Sequence, residues 1–400
     1  MTVDSADVRT ATEMLSLTEA RAVIGLAVSP LPARLAAVTD SLGAGLASPI
    51  LAEAPLPAVD LSAMDGYAVA GPGPWRVRDD VRTAGGPSVP ALVPGTAVRI
   101  ATGARLPQGA DTVVRDEHLV SSVPDGLIAR KMGFPVRDDV RRRGECWGSG
   151  RELVAAGTRV STAVISSALS AGVNEVWVRG KVRAHVLLTG DEISRSDVLD
   201  PGQTRDTLGP ILPTVLTGLD MACSFVSHVR DDEGAMLREI RAVDEVDVVF
   251  VVGSTGRGAA DHLRTGLGAL GATTIIDGID IRPGGSLLTA VLPCGRIVIG
   301  LPGNPLAAVA SLLAIGPALV VALTGRRPTA PVLGILSGYV CDGSDRTRVV
   351  PASRHIDGRW KVHPSGSTAH LAALVGVDAL AIIPRNHCDA TPIELLPVVV

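Results

Sequence analysis

Lysine is nearly absent from this chain: Lys131, Lys181 and Lys361 are its only three among 37 basic residues. Its cationic contacts are therefore guanidinium contacts, planar forks instead of point charges. A positive net charge is also missing, the formal value being −4, which argues against nucleic acid or an anionic membrane as partner, because both need a positive field. The one dense basic spot, Arg141-Arg142-Arg143, reads locally as a solvated face. Cysteine is sparse and dispersed over Cys146, Cys223, Cys294, Cys341 and Cys388, with no Cys-x-x-Cys pair. That excludes a disulfide framework and a zinc site, and points to a reducing, cytoplasmic setting. No basic segment followed by an apolar run and a cleavage site opens the sequence, so secretion is not indicated. One charge-free run of 18 residues, 306–323, is long enough to cross a bilayer. Gly316-Pro317 and the many alanines within it favour instead a buried helix, kinked or broken at Pro317.

What is present is a soluble composition, 46% hydrophobic and 20% charged, in a chain of 400 residues, too long for one hydrophobic core. Ser16-Leu17-Thr18-Glu19 is a capping box ahead of apolar residues at helical spacing, so a helix starts there. From residue 47 to about 143, turn pairs such as Asp65-Gly66, Gly85-Gly86 and Pro124-Asp125-Gly126 punctuate short apolar runs, the pattern of a β-rich insertion. The flanking segments, 10–47 and 146–180, are expected to join into one elongated linking domain around an insertion at 48–145. Five β-branched runs, 182–188, 224–229, 246–252, 273–276 and 296–299, then alternate with helix-length segments. This predicts a multidomain α/β plus β fold with a central doubly wound, mostly parallel sheet over 181–327. Residues 328–400 read as a small, barrel-like β domain with one helix near 368–375.

Ligands of such sheets lie beyond the carboxyl ends of the strands. Gly300-Leu301-Pro302-Gly303-Asn304-Pro305 stands at one such end, a rigid turn into a long helix that Asn304 is placed to cap. It serves either an anion above the helix or the turn alone. Gly253-Ser254-Thr255-Gly256-Arg257-Gly258 has the glycine density of an anion cradle, with Arg257 and Arg282 as charge partners. Asp191, Glu192, Asp231 and Asp261 fall at the same edge, where several carboxylates repel unless a cation sits among them; Mg²⁺ suits an all-oxygen set. Each carboxylate singly is also explained as a helix cap or first-turn acid. The eight histidines are scattered and no Ser-His-Asp or Cys-His set stands out.

The motifs, taken together, resemble those of the molybdopterin molybdenumtransferases, the molybdenum insertases that include MoeA and the E domain of gephyrin. Ser62-Ala63-Met64-Asp65-Gly66-Tyr67-Ala68-Val69 is similar to the family's hairpin signature. Arg99-Ile100-Ala101-Thr102-Gly103-Ala104, Arg141-Arg142-Arg143-Gly144-Glu145, Thr189-Gly190-Asp191-Glu192 and the Leu-Pro-Gly-Asn-Pro turn follow in family order. The resemblance implies a four-domain elongated homodimer in which the α/β domain of one subunit faces the β-rich domain of the other. It implies that molybdate enters the dithiolene of adenylylated molybdopterin with Mg²⁺ and release of AMP, with the molybdopterin adenylyltransferase as a further partner. Asp65, Thr102, Glu192 and Asp261 are then the implied catalytic residues, and Asp231 and Asp261 the implied metal ligands. Arg141, Gly190, Gly253, Ser254, Arg257, Arg282, Pro302, Gly303, Asn304 and Pro305 are the implied binding residues.

The chain departs from the family at oxyanion-facing positions. A Gly-Gly-Val-Ser loop is replaced by Gly253-Ser254-Thr255-Gly256, two lysines fall at Asp277 or Gly278 and at Arg282, and Pro351 stands near a usual arginine. These replacements carry the alternative expectation: a catalytically impaired paralogue that binds molybdopterin or its cofactor form as carrier or scaffold.

Overall fold

The computed structural model describes residues 14–87, 90–120, 127–134, 136–243, 245–256, 262–338, 344–385, 387 and 391–398. The turn expected at 124–126 lies outside them. The central sheet has six strands, β1 (Val182–Thr189), β2 (Met221–Val229), β3 (Val248–Val252), β4 (Thr273–Asp277), β5 (Leu288–Val291) and β6 (Ile297–Leu301), in spatial order β2-β1-β3-β6-β5-β4. β2, β1, β3 and β6 are mutually parallel, whereas β5 runs antiparallel to both β6 and β4. β5 is a strand that the sequence reading lacks: four residues between Gly284-Gly285-Ser286 and Pro293 give too short a run to stand out. β3 is buried along its whole length, as expected for a strand covered on both faces. Val248, Phe250 and Val252 pack into one core layer and Val249 and Val251 into the other, so alternate residues serve opposite faces.

The first layer is dominated by a helix over Pro305–Thr324 that runs unbroken through Pro317 and is long and apolar enough to cross a membrane. The core covers 78% of its apolar window, which accounts for its composition without a bilayer. Asn304 is its N-cap residue but makes no side-chain capping bond, contrary to expectation. The capping box at Ser16 and Glu19 forms as expected, opening the helix Leu17–Ala27. That helix was expected in the linking domain; instead Leu17, Ala20 and Ile24 pack into the central core beside the long helix. In the linking region, Glu175–Arg179 pairs with Arg34–Ala37 and with Gly45–Leu46, bringing together segments more than a hundred residues apart. The insertion carries a six-stranded sheet that includes Gly66–Val69, Trp75–Arg82, Thr96–Ile100 and Thr112–Arg115. In the C-terminal domain, Ile281–Arg282 from the α/β segment pairs in parallel with Thr347–Arg354 and so joins its sheet. The helix expected near 368–375 is only a 3₁₀ turn, Ala372–Leu374.

Asp220 ties the linking region to the α/β domain. It receives Arg159 Nε at 2.6 Å and Arg326 Nη1 at 2.8 Å, and the Arg326 side chain is only 8% exposed. Burial alone would raise the Asp220 pKa, but hydrogen bonds from Arg159 and Arg326 outweigh it and hold the carboxyl below its usual range. Asp220→Ala leaves a buried guanidinium without its carboxylate and is expected to cost roughly 3 kcal/mol, read from denaturant unfolding. Because the folded pKa is depressed, this contribution is present above about pH 4, the unfolded carboxylate value, and fades as pH falls through the folded one. Acid titration of thermal stability should therefore show a loss below about pH 4 that Asp220→Asn lacks.

Candidate functional site

The parallel strands end side by side, so their connecting turns form one edge. After β1, Gly190 has φ +136°, and a Cβ there would lie 2.3 Å from Glu192 Oε2; the carboxylate folds over the glycine. His228 Nε2 is 2.8 Å from the Gly190 carbonyl and fixes that turn from β2. After β3, a Cβ on Gly253 (φ +96°) would sit 2.6 Å from Thr189 Oγ1. Thr189 Oγ1 donates to the Val252 carbonyl at 3.1 Å, which leaves Ser254 Oγ as the donor in its own 3.1 Å bond to Thr189. Ser254 is left-handed at φ +54°, a conformation that costs a non-glycine residue about 1–2 kcal/mol, and this hydroxyl pair offsets part of it.

After β6 comes the Pro302–Pro305 turn. Glu192, Gly253, Gly303, Asn304 and Pro305 line one cavity of about 400 Å³, with Thr189 and Asp206 in its wall. Asn304 also lines a neighbouring cavity of about 640 Å³ with Pro302, Arg282, Ser286 and Arg348. Arg282 and Ser286 in turn border a third cavity, of about 1040 Å³, together with Arg264, Asp277 and Arg346. The Pro302–Pro305 turn thus stands between spaces that follow the sheet edge, with arginines along one flank.

Two of those arginines, Arg282 and Arg346, have no side-chain hydrogen bond or ion pair among the described residues. Arg282 is in register with Arg348 on the strand beside it, so two guanidinium stems start from adjacent backbone positions. Arg264 behaves differently. Its Nη1 donates to the Thr255 carbonyl at 2.7 Å and also to the Gly256 carbonyl, while Nε and Nη2 reach Asp277 Oδ1 at 2.9 and 2.6 Å. It clamps the glycine loop to the end of β4. Sequence reasoning passed over Arg264, since nothing in the linear pattern says that a helix arginine meets Asp277 thirteen residues on. Thr255 Oγ1 and Ser286 Oγ, 3.2 Å apart, close the same wall.

Arg257 and Asp261 lie outside the described residues. Asp231 is exposed two residues beyond β2, and its neighbour Asp232 caps the next helix through Ala235 N. Among the described residues no three His, Cys, Asp or Glu side chains are grouped to hold a metal. The carboxylates present, Asp231 and Glu192 on adjacent strand ends, are nevertheless the hard oxygen donors that Mg²⁺ takes one or two at a time, its remaining positions filled by water and phosphate.

The other expected residues form a separate group on the β-rich domain. Thr102 donates to Asp65 Oδ1 through its backbone N–H at 2.8 Å and its hydroxyl at 3.2 Å. Arg141 is exposed on a two-residue strand paired with Leu61–Ser62. No hydrogen bond or ion pair among the described residues joins this group to the sheet edge. Arg142, by contrast, is occupied by Asp60 and Asp138, so the basic run is partly structural.

The mixed α/β sheet and the β-rich insertion fall within two family models: residues 185–320 match the "Probable molybdopterin binding domain" and residues 15–172 the "MoeA N-terminal region (domain I and II)". The chain belongs to the molybdopterin molybdenumtransferase family. It is 31% identical to the molybdopterin molybdenumtransferase of Synechococcus elongatus over 374 residues, 88% of this chain and 91% of that one. It is 28% identical to the Bacillus subtilis protein of the same name, over 90% of this chain and 88% of the other. The crystal structure of a MoeA protein from Pyrococcus horikoshii superposes with a TM-score of 0.73 at 25% identity, covering 96% of this chain and 99% of that one.

The close approach at Gly253 yields a direct expectation. Gly253→Ala must displace the Thr189 hydroxyl and adopt a positive φ, and should lower stability by roughly 2 kcal/mol, whereas Gly268→Ala, with open space around it, should not. Thermal unfolding of the two variants checks this.

Proposed function

We propose that this protein inserts molybdate into adenylylated molybdopterin, with Mg²⁺ and release of AMP, as a cytoplasmic homodimer. The observation that carries the proposal is a pair of guanidinium groups unpartnered among the described residues: Arg282 lines the cavity at Pro302 and Asn304, and Arg282 and Arg346 both line the larger cavity next to it. Cations without carboxylate partners in a polar groove suit a tetrahedral oxyanion, and an arginine fork meets two of its oxygens at once. Ser286 and Asn304 add neutral donors on the same wall. Glu192 and Asp231, with Asp261, would hold Mg²⁺, which when bound neutralises phosphate charge and polarises the anhydride. Glu192 orients the phosphate-facing end of the groove, and the Arg264 clamp holds Thr255 and Gly256 at its wall. Asp65, Thr102 and Arg141 would reach the same substrate from the β-rich domain of the second subunit. The molybdopterin adenylyltransferase would supply that substrate.

A second reading retains binding without turnover. Asp277 favours it: an acid stands at the cavity wall close to where a family lysine falls, and it neutralises Arg264.

Purified protein given adenylylated molybdopterin, Mg²⁺ and molybdate should release AMP, and Asp261→Ala should abolish release. Pterin binding without AMP would favour the carrier. Arg282→Ala should weaken molybdate binding about tenfold or more by calorimetry and flatten its dependence on salt.

A further inference from the structure

Arg82 ends the strand Trp75–Arg82 of the β-rich domain and is 4% exposed, so its side chain is almost wholly enclosed. Its Nε is buried without a hydrogen-bond partner, and its guanidinium makes no ion pair among the described residues. Other arginines of the domain without a side-chain partner among the described residues, such as Arg76, Arg105 and Arg141, are exposed to water, and four more are paired. Arg78 meets Asp80, Arg99 meets Asp116, Arg115 meets Asp139 and Arg142 meets Asp138, although Arg82 is more buried than any of them. Enclosing a cation with no counter-charge is costly, and an anion arriving from outside would relieve that cost.

The sheet register says where that partner would arrive. Gly66 pairs with Ile100 and Ile100 with Arg82, so the three lie in one row across neighbouring strands. Ala101 N donates to the Arg82 carbonyl at 2.8 Å, and the next residue, Thr102, donates to Asp65. Arg82 therefore sits at the same end of the sheet as the Asp65–Thr102 pair. A lone carboxylate there would repel an incoming anion, and a guanidinium in the same row offsets it.

We infer that Arg82 is a binding residue for a phosphoryl group of the substrate at the Asp65–Thr102 end of the β-rich domain. This rests on the proposed function for the identity of the ligand. The position of Arg82 and its lack of a carboxylate among the described residues stand without it.

The test compares wild type with Arg82→Met and Arg82→Lys in the full-length protein, using AMP and molybdate as separate calorimetric probes. Loss of a charge-assisted bond predicts AMP affinity about 10- to 100-fold weaker in Arg82→Met and intermediate in Arg82→Lys, with molybdate affinity unchanged. Without ligand, the melting temperature of Arg82→Met should equal or exceed that of wild type, because an unpaired buried charge has been removed. A lower melting temperature would mean that Arg82 has a structural partner, and would overturn the inference. Unchanged AMP affinity, a loss of molybdate affinity instead, or a weakened dimer in sedimentation with AMP binding intact would each overturn it too. If wild type binds no molybdate and releases no AMP from substrate, yet Arg82→Met weakens AMP binding, the proposed function fails and this inference stands.

Discussion

The reversed direction of β5 is the constraint on which the site depends. A chain passing from β4 straight into a parallel neighbour would return to the amino edge of the sheet. Because β5 runs against β6, residues 278–287 must instead stay at the carboxyl edge, where Leu288 pairs with Gly300. That detour places Arg282 beside the Pro302–Pro305 turn. It also supplies the backbone, Ile281–Arg282, that pairs with Thr347–Arg354 and recruits the C-terminal domain as the outer wall. Asp280, 5% exposed and bonded to Arg385 at 2.6 Å, locks the junction. One strand direction thus delivers both the cation and the second domain to the same edge.

The charge on that edge is shaped by the scarcity of lysine. A lysine is a compact point charge on a flexible stem, whereas each arginine commits a planar fork to a defined direction. Arg264 spends its fork on two carbonyls and Asp277, so it adds order to the glycine loop and little net charge to the groove. Among the described residues, Arg282 and Arg346 keep theirs free. The groove is consequently less positive than its number of basic residues suggests, and the oxyanion affinity proposed for it would rest on two guanidinium groups with different backbone anchors. This is why turnover and simple binding are both coherent outcomes of one geometry.

Much of the fold was legible because it rests on local chemistry. The Ser16–Glu19 box, the buried β-branched strands and the Gly-Pro turn announce themselves within a few residues. What escaped depends on tertiary partners. β5 is four residues long and is a strand only because β4 and β6 flank it. The apolar face of Leu17–Ala27 was visible, but not that it belongs to the central core. Asn304 occupies the cap position without bonding there, since neighbouring backbone competes: Leu306 N is taken by the Thr368 carbonyl. At the site, the turn glycines could be named from sequence, while Arg264 and Arg82 could not. Their significance lies in having, or lacking, a carboxylate that only folding brings near.

The separation of the expected site residues into two groups gives the linking region a part in the proposed reaction. Asp65, Thr102 and Arg141 are carried on an insertion whose route to the α/β domain passes through the residues around Arg159. Among the described residues, the ion pair of Arg159 with Asp220 is the charged contact that joins the two, supported by Arg327 N on the Gly157 carbonyl and Leu31 N on the Leu323 carbonyl. A carboxylate shared by Arg159 and Arg326 has strongly directional bonds, so it fixes the angle of the joint more firmly than apolar contact would. Since Arg326 follows directly on the helix that begins at Pro305, the orientation of the β-rich domain is referred back, through that one rigid helix, to the turn that walls the groove. Loosening Asp220 should therefore disturb substrate geometry in proportion to its effect on the joint, even though Asp220 lines no part of the sheet edge.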